Sequence, residues 1–405
     1  PLSKPLSSLP KVAILDGGIP DSPLLDTWIN RYVKMDTEAD DHPSAVAHGL
    51  GVASAFLFGP VTPDSIASRP FAYVSPIRIV DASSTNEKRL EMYRTLGFIE
   101  EILLSRQYSF INLSLGPAIP MEDEDIHPWT AVIDNLLQDG NTLMTIAVGN
   151  NGEKDEASGN ARIQVPSDCV NALSVGSATS MGENWTKASY SAIGPGRRPG
   201  VVKPDVLMFG GSHAEYFHAL IPSSNFKVHP YQGTSYAAPY LLRAAVGISA
   251  ILGSQISPLA IKALLIHSAK TQSGSHPSRN GWGKVPDDLL EIITCDEGTA
   301  RIIYQGQLCP GKYIRAKIPI PEAGIEGKCV ISATFCFTCP VDPKTRVPIH
   351  GRALKSYSAG IAPTSKGTRK MRRLIHFSLN APMRLNATLE TPEGNGRMFF
   401  MIIKG

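Results

Sequence analysis

Cysteine is scarce in this chain: 405 residues hold only Cys169, Cys295, Cys309, Cys329, Cys336 and Cys339. That is too few for the disulfide framework of a small secreted domain. Cys336-Phe-Thr-Cys339 is a lone CxxC. A zinc site needs a second ligand pair, and a redox motif needs a helix start where Pro340 stands, so the thiols read as reduced and structural. Charge of one sign is not in excess either. With 39 Lys and Arg against 36 Asp and Glu, the net charge is +3, which argues against a polyanionic partner such as nucleic acid. The basic run "KGTRKMRRL" (366–374) then reads as a solvated hairpin flank rather than a binding patch. No window reaches 18 apolar residues, and the start "PLSKPLSSLP" has no apolar core. Neither a membrane span nor a secretory signal is expected, and a cytoplasmic setting is favoured. There is no D-x-D-x-D-G calcium loop, and no metal or cofactor is expected.

What remains is an ordinary globular composition, 42% hydrophobic and 19% charged, with length enough for two domains. Residues 1–10 read as a Pro/Ser arm. "KVAILDGG" is a continuous apolar run ending in Asp16 and two glycines, the pattern of a strand buried on both faces. Further strands are expected at 71–81, 109–116, 142–150 and 171–178. Helices are expected at 85–106, 128–140, 235–252 and 257–269, and "HGLGVASAFLFG" is read as a helix opened by His48. Strands alternating with helices over 11–295 imply an α/β three-layer domain with a mostly parallel sheet. From about 298 the pattern changes to short alternating runs between turns: "RIIYQGQL", "YIRAKIPI", "KCVISATFCF", "RLIHFSLN" and two more in "APMRLNATLETPEGNGRMFFMIIKG". Residues 296–405 therefore read as a smaller all-β sandwich domain.

Four polar residues stand where an open α/β sheet exposes its functional edge, at the carboxyl ends of strands. Asp16 ends the first strand, Asn150 ends another in "AVGNNG", and His48 and Ser235 open helices. Singly each has an ordinary explanation: an N-cap for Ser235, turns for Asp16 and Asn150, a packed imidazole for His48. Jointly they supply acyl transfer. Ser235 is the nucleophile, His48 the general base, and Asp16 orients the imidazole. The Asn150 amide donates to the oxyanion.

With these residues on the page, the sequence resembles the subtilases, the subtilisin-like serine peptidases. The Asp motif is carried by "VAILDGGI", the His motif by "HGLGVA", the oxyanion motif by "AVGNNG" and the Ser motif by "GTSYAAP", in family order across roughly 11–290. The resemblance implies a subtilisin-like fold, a protein or peptide substrate, and endopeptidase activity through Asp16, His48, Ser235 and Asn150. Ser114, Leu115 and Gly116 match the extended segment that pairs with substrate backbone. Ala147, Val148 and Gly149 match a wall of the pocket for the side chain before the scissile bond. Looser still is the expectation of a regulatory ATPase partner, which accompanies some bacterial subtilases with such a β tail. No inhibitory segment is recognisable ahead of Pro1.

The chain departs from the family at Gly17, where Thr or Ser is usual, at Leu50 and at Gly51. These change the floor around the triad without removing a catalytic atom. Residues 210–230 read as an insertion. The loop 151–164, with Glu153, Asp155 and Glu156, is either solvated or a selector of basic residues before the scissile bond. Asp40, Asp41 and Asp205 read as solvated structural acids. A catalytically silent peptide-binding module is the alternative to an active enzyme.

Overall fold

A computed structural model describes residues 3–62, 66–84, 89–197, 201–223, 226–297, 299–306, 328–338, 383–390 and 395–404. Its elements in chain order are β1 (Val12–Asp16), β2 (Val33–Lys34), α1 (Pro43–Phe58), β3 (Ser75–Arg78), α2 (Arg89–Leu104), β4 (Phe110–Leu113), α3 (Pro128–Leu136), β5 (Leu143–Ala147), β6 (Leu173–Ala178) and β7 (Val206–Phe209). There follow β8 (Phe217–Ile221), β9 (Lys227–Tyr231), α4 (Thr234–Leu252), α5 (Pro258–Ser268), α6 (Pro277–Asn280), α7 (Leu289–Ile293), β10 (Thr299–Gly306), β11 (Lys328–Phe337), β12 (Met383–Glu390) and β13 (Asn395–Lys404).

β1 to β7 form one seven-stranded sheet in the order β2-β3-β1-β4-β5-β6-β7, with every pairing parallel. The continuous apolar runs follow from cover on both faces. Val12, Ile14, Phe110 and Leu143 face a core shared with α1, α4 and α5. Ala13, Leu15, Ile111, Leu113 and Met144 face α2 and α3. The three-layer α/β expectation therefore holds. Strand order reverses beside β1, because the chain first adds β2 and β3 on one side and later β4 to β7 on the other. The crevice beyond the carboxyl ends of β1 and β4 is where such a sheet takes a ligand.

α4, with 19 residues, is long and apolar enough to cross a membrane by length and composition alone. Here Leu241, Leu242 and Ile248 are fully buried in the core, each burial contributing about 1.5–3 kcal/mol. α1 begins at Pro43, with His42 as its N-cap, so His48 sits within the helix rather than opening it. Proline is suited to a first helical position because its missing N–H would have no partner there, and this start was overlooked in favour of the more apolar run behind it. The insertion at 210–230 contains the antiparallel hairpin β8–β9. Ser54 on α1 holds it by accepting Leu220 N–H at 3.1 Å, and Tyr231 and Phe217 stack on Tyr236 with centroids 4.8 and 5.6 Å away.

In the region 296–405, read from sequence as an all-β sandwich, the described residues form one four-stranded sheet, order β10-β13-β11-β12. It is mixed, with β13 parallel to both β10 and β11 and β12 antiparallel to β11. The strands expected at 313–320 and 373–380 lie outside the described residues, as do Cys309, Cys339 and the basic run 366–374. β11 packs on α5: Cys336 is buried in the same core as Leu264 and Ile266, and His267 Nδ1 is 2.9 Å from Thr334 Oγ1. Burial in this core pushes the Cys336 thiol up to about 12.

Candidate active site

Asp16 and His48 are in direct contact, and Asn150 and Ser235 line one cavity. Asp16, 2% exposed, ends β1. Its Oδ1 accepts the Gly17 N–H at 2.7 Å and the His48 Nδ1–H at 2.8 Å, while Oδ2 is buried with no partner among the described residues. Burial of the His48 ring works against its charged form, but the Asp16 carboxylate outweighs this by Coulomb attraction and the hydrogen bond, so the pKa is raised above 6.5. Gly17 has a steric cause: a Cβ there would overlap the Ala45 carbonyl, and one on Gly49 would overlap Gly18 O. The loop after Asp16 and helix α1 approach too closely for side chains, and this closeness lets a helix residue reach the strand-end carboxylate.

Ser235 lies in the first turn of α4, where the helix dipole favours negative charge. Its hydroxyl donates to Ser114 O at 3.2 Å and not to His48. Pro239, four residues on, has no N–H to offer the Ser235 carbonyl. That orphan acceptor is met by the Ser114 hydroxyl at 2.9 Å. Ser114 Oγ in turn accepts from Asn112 Nδ2 at 2.9 Å, and Asn112 Oδ1 accepts from Thr145 Oγ1 at 3.0 Å. A buried relay thus ties β4 and β5 to the turn bearing Ser235.

Asn150 follows β5. Its Oδ1 accepts both the backbone N–H and the hydroxyl of Thr234, at 3.0 and 3.1 Å, and the Thr234 hydroxyl accepts Gly149 N–H at 3.3 Å. With Oδ1 committed, the Asn150 NH2 is the end left for the cleft. Thr234 was not singled out in the sequence. Its hydroxyl, beside Ser235 in sequence and 1% exposed, must find partners.

A cavity of about 350 Å³ adjoins these groups, lined by Ser114, Leu115, Gly116, Ala147, Gly149, Asn150 and Ser235, with Asn151, Lys154, Gln164 and Val165 among the others. Leu115 and Gly116 make no backbone–backbone hydrogen bond among the described residues, so their polar groups are open to a peptide. Val148, expected in the same wall, instead enters a buried cluster with Met121, Ile163 and Ala192.

Nor do the acids of the 151–164 loop face the cavity. Glu153 accepts from the Ser189 hydroxyl, Asp155 accepts Ser158 N–H at 2.8 Å, and Glu156 pairs with Arg279 at 2.9 Å. All three are exposed and absent from the cavity lining, which favours the solvated reading of the loop over a basic-selecting wall. Asp205 is also not solvated. It is 2% exposed, paired with Lys203 Nζ at 2.7 Å and bonded by Ser174. Asp41 pairs with Arg78 and Lys34. Among the described residues no group of three or more His, Cys, Asp or Glu could hold a metal ion.

Residues 7–283 match the subtilase family model. The chain belongs to the subtilase family. Solved structures agree at the level of fold. The prenylagaramide maturation protease PagA is 22% identical, covering 70% of this chain and 92% of its own, at a TM-score of 0.51. The subtilase cytotoxin SubAB gives 15% identity, covering 71% of this chain and 90% of its own, at 0.53. The PatG macrocyclase in complex with peptide gives 17%, covering 72% and 92%, at 0.53. No curated protein matches the sequence. Family membership makes this chain a subtilase of serine-peptidase type, and the four-stranded sheet lies beyond the matched residues.

Proposed function

We propose that this subtilase is an active serine endopeptidase, with Ser235 attacking the scissile carbonyl, His48 taking its proton and Asp16 stabilising the imidazolium. One observation supports the reading: the His48 ring is bonded to the Asp16 carboxylate at 2.8 Å and lies 6.3 Å from the ring of Tyr236, the residue next to Ser235. The Ser235 hydroxyl rests on the Ser114 carbonyl. Transfer to His48 belongs to the substrate-bound state, since catalytic hydrogen bonds are often made only there. The Asn150 NH2 and the first turn of α4 then receive the oxyanion. The free backbone of Leu115 and Gly116 pairs with the extended substrate.

A fluorophosphonate probe tests this directly. The full chain should be labelled at Ser235, and Ser235→Ala should abolish labelling; label retained in that variant sinks the assignment. The resting hydroxyl position favours one competing reading, a silent peptide-binding module. It predicts saturable peptide binding without labelling or turnover. A regulatory ATPase partner belongs to this proposal only as a restraint on the same cleft. Unfolded casein cleaved at full rate by the purified chain alone argues against it.

A further inference from the structure

The charge balance of the cavity follows from where the 151–164 loop places its side chains. Four of its charged residues follow one another, Glu153, Lys154, Asp155 and Glu156. The three acids are engaged with Ser189, with the Ser158 backbone and with Arg279. Lys154 is different. A turn closed by its own N–H on Asn151 O, 3.0 Å, folds it back towards Asn150, and it is the single charged residue lining the cavity. Among the described residues its ammonium makes no hydrogen bond or ion pair. Gln164, whose carboxamide lies against Gly149, also lines the cavity and carries no charge.

We propose that Lys154 makes this pocket select an acidic side chain on the amino side of the scissile bond. The inference rests on the peptidase reading above and names its substrate class. A carboxylate entering the cavity meets the Lys154 ammonium, the one charged group in its lining. A lysine or arginine side chain meets like charge, which selects against it. The net negative charge of the loop's sequence therefore points to the wrong substrate.

The test uses the full chain and fluorogenic peptides identical except for Glu, Gln, Leu or Lys before the scissile bond. Glu should exceed Gln by about two- to fivefold in kcat/KM, the size expected of one partly solvated ion pair, with Lys slowest. The margin should shrink as salt is raised, and Lys154→Glu should invert the order of the Glu and Lys peptides. Equal rates for Glu and Gln, a preference for Gln or Lys, or an order unmoved by Lys154→Glu overturns the inference. Binding of the same peptides to Ser235→Ala reads the pocket without turnover. Failure of labelling alone counts against the peptidase reading, whereas binding indifferent to Glu against Lys counts against the role of Lys154.

Discussion

In the seven-stranded sheet β1, β4 and β5 run out at their carboxyl ends into Asp16, Ser114 and the turn bearing Asn150, and the crevice beyond them is open. In the four-stranded sheet β11 instead lies flat on α5, with Cys336 in the main core and Thr334 bonded to His267. Parallel order puts several strand ends of one polarity on the same side, so polar groups collect there without disturbing the buried faces. A strand packed broadside on a helix has no such end to offer and contributes burial. α5 shows the consequence from the other side: Leu259, Ile261, Leu264, Leu265 and Ile266 are all buried, and a helix apolar all round needs cover on every face. Substitutions at the crevice should therefore cost turnover and spare stability, and substitutions in β11 the reverse.

The largest effect belongs to Ser235→Ala. Turnover should fall by on the order of 10⁶ while the melting temperature stays near that of the unaltered chain; a large loss of stability would break the contrast. Asn150→Ala should lower kcat by roughly 10²–10³ with little change in KM. In the other sheet, Cys336→Asp should destabilise the fold by about 3 kcal/mol or more, because it places a carboxylate in an apolar core. Denaturant melts measure this, and fluorophosphonate labelling of the folded fraction should keep its rate. A stable, fully folded Cys336→Asp chain would show that β11 is not part of the core.

Ser114 sharpens the comparison because its hydroxyl serves a backbone carbonyl. Ser114→Ala should lower kcat by roughly tenfold, the value of one buried hydrogen bond. In a Pro239→Ala background the helix can supply its own N–H to the Ser235 carbonyl, and the cost of Ser114→Ala should shrink. Equal costs in both backgrounds would disconnect Pro239 from the site. The smallest effect is in the pH profile. His48 acts as a base only when neutral, so kcat/KM should fall as pH drops through its pKa, with the midpoint above 6.5 as the Asp16 carboxylate requires. Asp16→Asn removes that charge and leaves desolvation in control, so the His48 ring, titrated by NMR because turnover is largely lost in that variant, should show its midpoint at lower pH.

Much of this was legible in sequence. β1, β4, β5 and β6 announced themselves as buried apolar runs, and α2, α4 and α5 by helical spacing. Boundaries went astray where local signals competed, as at α1, where Pro43 starts the helix before the apolar stretch begins. Very short β2, the β8–β9 hairpin, α6 and α7 escaped because two to five residues carry too little periodicity. At the site, residue types and their order were enough to nominate Asp16, His48, Asn150 and Ser235. Val148 was misplaced because adjacent residues after a strand point to different sides. The acids Glu153, Asp155 and Glu156 left two readings open, because composition counts charges without showing where they point.

The sequence by itself determined the apolar runs that make the layers and the four polar residues that break them, since both are local patterns. Tertiary structure alone decided which groups meet. Ser114 and Ser235 are 121 residues apart, and Asn150 and Thr234 are 84 apart, so neither bond can be read from spacing. The orientation of the Asn150 amide, the capture of the carbonyl left free by Pro239 and the place of Lys154 in the cavity lining all depend on strand order. The reason is physical: periodicity records burial, which each segment expresses in its own residues, whereas a hydrogen bond or an ion pair is a property of two distant segments that only the assembled sheet brings within reach.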